Sequence, residues 1–140
     1  MVIRRCAEIS VPAAPQKVLA VLLQVAGLAE WNPAFSDVRA DGPVVIGAPV
    51  PIRVQGILDG ALVYDQVSPE GIDMTIRIPG LREHGSWRVR ADGAATVVTH
   101  EFSQHGPLAV LLEPGTRNVA DLRVGRLRDR LAERPPGRAA

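Results

Sequence analysis

Apolar and polar residues alternate along much of the second half of the chain. Ile72, Met74, Ile76 and Ile78 are separated by Asp73, Thr75 and Arg77; Trp87, Val89 and Ala91 by Arg88 and Arg90; Val98, His100 and Phe102 by Thr99 and Glu101. A period of two predicts strands with one covered and one wet face. Turn signals punctuate residues 35–103 at Asp41-Gly42-Pro43, Asp59-Gly60, Ser68-Pro69-Glu70-Gly71, Pro79-Gly80 and Asp92-Gly93. That spacing predicts consecutive antiparallel strands joined by hairpins.

The ends of the chain read differently. Residues 2–11 mix Val2, Ile3, Cys6, Ile9 and Val11 with charge and stop at Pro12, which predicts one further strand. Pro15 then suits the first turn of a helix carrying Val18, Leu19, Val21, Leu22 and Val25, with Gly27 as its stop. Leu28 to Trp31 forms one more helical turn, closed by Asn32-Pro33. After Gly106-Pro107 the helical period returns with Leu108, Leu111 and Leu112 and is broken by Pro114-Gly115. Ala120, Val124, Leu127 and Leu131 then define one stripe of a long helix, expected from about Thr116 to about Glu133. The fold class is therefore α+β. A curved antiparallel sheet of about seven strands wraps a long C-terminal helix, and two short helices follow the first strand. That helix is the one element long enough to cover the sheet. One domain spans residues 1–134, with a frayed tail at 135–140.

Composition narrows the class without changing the architecture. The 140 residues carry 16 basic and 15 acidic side chains, a balance that gives no general pull toward nucleic acid or anionic membranes. The apolar stretches fall far short of a bilayer span, and an acid at Glu8 spoils a signal-peptide core. The single cysteine, Cys6, precludes an internal disulfide and reads as an inert buried thiol. The reading is a soluble, cytoplasmic protein of a reducing compartment, monomeric or homodimeric. Seven arginines between residues 117 and 138 read as the solvated side of the last helix.

Chemical motifs are few. His84, His100 and His105 have no metal-ligand spacing, so no metal is expected. Neither a phosphate-binding glycine loop nor a nucleophile elbow is present, and no cofactor is expected. The five aromatic residues, Trp31, Phe35, Tyr64, Trp87 and Phe102, all lie in the early turn or the strands. So few large side chains favour an internal cavity between the curved sheet and the helix.

The segments Ile9 to Val18 and Val25 to Pro33 resemble the opening of the START-like helix-grip (SRPBCC) superfamily, in its polyketide cyclase/dehydrase branch: a strand ending in Val-Pro-Ala, a helix, then a short helix closing on Trp-x-Pro. Gly85-Ser86-Trp87-Arg88-Val89, Thr96 to His100, Phe102 and the Leu122/Leu127/Leu131 helix extend the resemblance over essentially the whole chain. It implies a deep, mostly apolar cavity with a few inward polar groups. In aromatase/cyclases of that branch, such groups enolise a poly-ketone chain and polarise a carbonyl for ring closure and loss of water. The resemblance places Trp31 at the cavity mouth and His100 where some of those enzymes carry an inward histidine. It places Tyr64 and Gln66 near an inward serine and a catalytic arginine. Gln66 departs from the pattern, because an amide offers neither the charge nor the fork of a guanidinium.

The expected site thus has His100 and Tyr64 as catalytic acid/base and oxygen donor. Trp31, Phe35, Gln66, Met74, Glu83, Trp87 and Phe102 are the expected ligand-binding residues. Three functions follow from different features. The first is cofactor-independent biosynthetic cyclisation or dehydration of a polyketide intermediate. The second is non-catalytic carriage or sensing of a hydrophobic small molecule in the same cavity. The third is partner docking through the basic C-terminal helix.

Overall fold

Seven strands pair antiparallel in the order β1-β7-β6-β5-β4-β3-β2 in this computed structural model, which describes residues 2–133. They are β1 (Ile3–Val11), β2 (Asp37–Val38), β3 (Val50–Val54), β4 (Leu58–Ser68), β5 (Gly71–Ile78), β6 (Leu81–Asp92) and β7 (Ala95–His105). From β3 to β7 each strand pairs with its chain neighbour through a hairpin, and the turns after β4, β5 and β6 fall on the signals at Ser68-Pro69-Glu70-Gly71, Pro79-Gly80 and Asp92-Gly93. β1 returns to the far edge and pairs along its whole length with β7. The tail expected at 135–140 lies outside the described residues.

The alternation survives in the burial of β7. Thr96, Val98, His100, Phe102 and Gln104 are buried, while their neighbours are half-buried or exposed. The same parity corrects Cys6. It lies opposite Glu101 on the outer face and is exposed, because Ile3, Ala7 and Val11 take the inner positions of β1. Partial burial of the thiol, and then the Glu101 and Glu8 charges, push its pKa up.

One turn falls elsewhere than the dipeptide signals indicate. The β3–β4 reversal is made by Gln55 and Gly56, both with positive φ, and Asp59-Gly60 lies inside β4. A side chain at position 60 would collide with the Arg77 carbonyl, so that glycine serves a close strand approach. At the other end of the sheet, Gly106 has a φ of 107° and sits against the Gly80 carbonyl, where no Cβ fits. The chain there turns from strand to helix.

The helices are α1 (Pro15–Leu23), α2 (Leu28–Trp31), α3 (Pro107–Leu112) and α4 (Val119–Ala132). Pro15 occupies the start of α1, and Val18 and Leu22 are its buried face. Asn32, held extended by Pro33, ends α2, and its side-chain oxygen accepts from the Ala34 amide at 2.9 Å. The C-terminal helix begins three residues later than expected. Glu113 to Thr116 form a separate tight turn, closed by the Thr116 hydroxyl donating to the Glu113 carbonyl at 2.9 Å. α4 lies across β1 and β7 and buries Ala120, Val124, Leu127 and Leu131 against them. Among the described residues no helix is long and apolar enough to cross a membrane.

Candidate functional site

Side chains of β5, β6 and β7 meet in register on the inner face. Ile72, Trp87 and His100 form one row across the three strands; Ile76, Glu83 and Gln104 form another, four residues along each strand. The first row is a packed stack. Trp87 lies face to face on His100 with centroids 3.8 Å apart, and Trp31 meets Trp87 edge-on at 5.6 Å. Phe102 tilts against His100 at 5.5 Å. Phe35 and Met74 complete this core, both almost fully buried. Aromatic side chains therefore fill the space in which sparse aromatics led the sequence reading to expect a cavity.

Tyr64 is also committed. Its hydroxyl donates to the Leu22 carbonyl of α1 at 2.6 Å, and burial pushes its pKa up. Gln66 lies on the outer face, which corrects its expected inward placement. A bulge between Tyr64 and Gln66 shifts the β4 register, so Gln66 pairs with Asp73 and is exposed.

The second row carries the charge. Glu83 is 4% exposed and receives both terminal nitrogens of Arg123 from α4, Nη1 to Oε2 at 2.8 Å and Nη2 to Oε1 at 3.0 Å. Gln104 adds an amide donor to the same Oε1 at 2.9 Å. The guanidinium stacks on Phe102, its central carbon 4.5 Å from the ring centroid. Its Nη1 also lies 3.3 Å from His100 Nε2, while His100 Nδ1 lies 2.9 Å from the Ser86 carbonyl. A carbonyl only accepts, so Nδ1 carries the proton and Nε2 accepts from Arg123. This is a forked, charge-assisted pair sealed under the helix.

These contacts set the ionisation states. Burial first, and the Arg123 charge second, lower the His100 pKa from 6.5 to about 4. Burial works to raise the pKa of Glu83, but the charge and hydrogen bonds of Arg123, with the bond from Gln104, outweigh it and hold it low. Both shifts make acid destabilising. The unfolded chain protonates His100 below 6.5 while the folded one resists until about 4, which removes about 3 kcal/mol across that window. Glu83 adds to the loss only as the pH falls below the ordinary carboxyl value of 4.5 and on through its lowered folded value. Urea midpoints measured between these pH values should fall with acid. In a His100→Asn variant the fall above pH 4.5 should flatten, and an unchanged slope would show that His100 is not the group responsible.

Beside the network lies a hollow of about 260 Å³ between the sheet and the C-terminal elements. Val54, Ile76, Ile78 and Leu81 form its sheet wall, and Thr116, Val119 and Arg123 its helix wall. Pro33 and Ala34 close one side. Leu112 and Leu122 stand at its rim, 39% and 45% exposed. Glu83 and Gln104 face into it; His100, Tyr64, Trp31, Phe35, Met74, Trp87 and Phe102 do not. The outer face of the sheet has a wider depression of about 460 Å³ around Asp65, Asp73, His84 and Glu101, but it is open and largely polar, unlike an enclosed apolar ligand site.

Arg123 and Gln104 are the site residues that sequence reasoning missed. Arg123 lies three residues from Ala120 and four from Leu127, on the buried stripe rather than among the solvated arginines. Gln104 extends the inward series Val98, His100, Phe102 by one step. The other paired arginines of α4 are exposed or half-buried: Arg130 meets Glu30 and Glu133, and Arg128 meets Asp129.

Residues 6–134 match the protein-family model described as polyketide cyclase/dehydrase and lipid transport. No curated protein matches the sequence significantly. Among solved structures, DynU16, a protein of the dynemicin biosynthetic locus, superposes with a TM-score of 0.68 at 21% identity over 97% of this chain. This chain spans 49% of DynU16. Truncated norcoclaurine synthase from Thalictrum flavum gives a TM-score of 0.71 at 15% identity, covering 96% of each chain. A START superfamily protein from Mycobacterium smegmatis gives 0.64 at 14% identity, covering 91% of this chain and 96% of that one. At these identities the likeness is one of fold, the helix-grip arrangement of sheet and terminal helix.

Proposed function

This chain belongs to the polyketide cyclase/dehydrase and lipid transport family, and on that premise we propose that it binds a small, largely apolar molecule in the hollow between sheet and α4 and carries or senses it unchanged. The observation that supports this reading is the ionisation of the site. General acid/base work at neutral pH needs a group that titrates near it and reaches the reacting atom. His100 is neutral down to about 4 and stacked beneath Trp87. Tyr64 spends its hydroxyl on a backbone carbonyl. Glu83 is held as a carboxylate of low basicity by Arg123. In this reading His100 and Tyr64 are positioning residues: His100 orients Arg123, and Tyr64 ties α1 to the sheet.

Cyclisation is the second reading, and the placement of the Glu83 carboxylate at the cavity floor favours it. Single-turnover assays with a panel of poly-β-ketone thioesters separate the two. The carrier reading expects binding without product. Product formation that drops at least a hundredfold in Glu83→Gln would install the cyclase instead.

The cavity itself has a direct test. Val119 is half-buried, lies on the hollow's helix wall and opens α4. Val119→Trp should fill the hollow and abolish uptake of naphthalene, followed by its fluorescence, while the urea midpoint stays close to wild type. Undiminished uptake in this variant, and in Ile76→Trp on the opposite wall, would place the ligand elsewhere.

A further inference from the structure

The outer face of the sheet ends in a cationic recess. Arg77, Arg82 and His105 stand opposite one another on β5, β6 and β7, in one row across the three strands. They point away from the hollow, since their neighbours Ile76, Glu83 and Gln104 take the buried positions. With His84, two residues on from Arg82, they line a recess of about 510 Å³ whose apolar wall includes Ile78 and Pro107. No carboxylate lines it, and among the described residues neither Arg77 nor Arg82 has an ion-pair partner. Elsewhere on the sheet arginines meet acids: Arg88 meets Asp73 at 2.6 Å and Arg53 meets Asp59 at 3.0 Å. Like charges directly opposite on neighbouring strands repel, and Arg77 and Arg82 are such a pair. The His84 ring is held from behind. The Thr75 hydroxyl lies 2.6 Å from Asp65 Oδ2 and 3.0 Å from His84 Nδ1. A carboxylate only accepts, so the Thr75 proton goes to Asp65 and His84 Nδ1–H donates to the Thr75 oxygen. His105 packs edge-on against that ring, centroids 6.0 Å apart.

We propose that this recess binds the phosphoryl group of a small phosphorylated molecule, a mono- or diphosphate ester, with Arg77 and Arg82 holding its oxygens from two neighbouring strands and the organic part lying against Ile78 and Pro107. The site is separate from the hollow under α4, and the proposal does not depend on what the hollow carries. A phosphoryl group offers enough charge and enough oxygens for two guanidinium forks at once, whereas a single carboxylate satisfies one. A long polyanion is disfavoured on two counts. The adjoining depression of the outer face holds Asp65, Asp73 and Glu101, and the whole chain has a net charge of only +1. A small ligand gains the arginines without meeting those acids.

Calorimetry at low ionic strength tests this with inorganic pyrophosphate, phenyl phosphate, benzoate and a short DNA duplex as probes. Wild-type protein should bind pyrophosphate and phenyl phosphate saturably, one per chain, and about tenfold or more tightly than benzoate. Arg77→Gln and Arg82→Gln should each weaken both phosphates about tenfold or more. Arg90→Gln, an exposed arginine of β6 outside the recess, should change neither. Melting curves give the control for folding. Without ligand, Arg77→Gln and Arg82→Gln should melt at or above the wild-type temperature, because each removes a repulsion. A pyrophosphate concentration that saturates wild type should raise its melting temperature well beyond that of either variant. Absence of saturable binding by both phosphates, benzoate binding as tight as phenyl phosphate, or affinities that survive both variants or fall equally in Arg90→Gln would overturn the proposal. A duplex that displaces pyrophosphate at equal phosphate concentration would also overturn it, and would assign the arginines to nucleic acid.

Discussion

Replacing Arg123 with methionine should cost the folded protein about 3–5 kcal/mol, because it strands the Glu83 carboxylate in an apolar interior. Glu83 is 4% exposed, and its remaining side-chain donor in that variant would be Gln104. A fully buried carboxylate with so little support takes up a proton, so the variant should lose the acid sensitivity that Glu83 confers and gain stability, relative to wild type, as the pH falls toward 5. The comparison that isolates the pair is the double variant Glu83→Leu, Arg123→Met. Neutral groups of similar size replace both charges there, and most of the lost stability should return. Urea denaturation of the four proteins gives the cycle. A single variant that loses less than about 1 kcal/mol, or a double variant as unstable as the single, would mean that the pair is not the keystone of the sheet–helix contact.

The second large effect belongs to the aromatic stack. Trp87→Ala should cost about 3–5 kcal/mol and lower the melting temperature on the order of 10 °C. Trp87 is 1% exposed and packs against both Trp31 and His100, and its removal leaves a void that those rigid rings close only in part. Removing the indole also opens His100 to water, so its pKa should climb from about 4 toward the ordinary 6.5. NMR titration of the imidazole reads that change independently of stability. A Trp87→Phe variant keeps a ring on His100 and should show a smaller effect on both measurements. An imidazole that still titrates near its wild-type value in Trp87→Ala would show that stacking on Trp87 is not what desolvates it.

The two effects together explain why a cavity expected among the aromatics is found elsewhere. Five aromatic residues are few for the chain, but the structure gathers three of them, Trp31, Trp87 and Phe102, with His100 and the Arg123 guanidinium into one continuous layer. Tyr64 lies in the same core and anchors α1. What remains unfilled lies where aliphatic side chains of β5 and β6 face the tight turn before α4. Composition counts large residues; it does not say whether they are spread out or stacked.

Much of the fold is local and was legible. Strands of period two, the hairpin turns after β4, β5 and β6, Pro15 opening α1 and Asn32-Pro33 closing α2 act within a few residues and are found as expected, whereas Asp59-Gly60 lies inside β4 because its glycine serves a close strand approach. Inward parity on a regular strand is equally local, which is why His100, Phe102 and Glu83 are buried on the covered face. The errors lie where parity breaks or where two distant elements meet. The β4 bulge turns Gln66 outward through a pairing with β5 that no window of β4 reveals. Cys6 is exposed because the buried series of β1 runs through Ile3, Ala7 and Val11, and even-numbered positions face solvent. The Glu83–Arg123 contact joins residues 40 apart in the chain, and only the crossing of α4 over the sheet determines which arginine of the helix lands on which carboxylate. Periodicity specifies the face on which a side chain stands. The distance between two faces is a property of the packed whole, and the ionisation of His100 and the forked Glu83–Arg123 pair both depend on that distance.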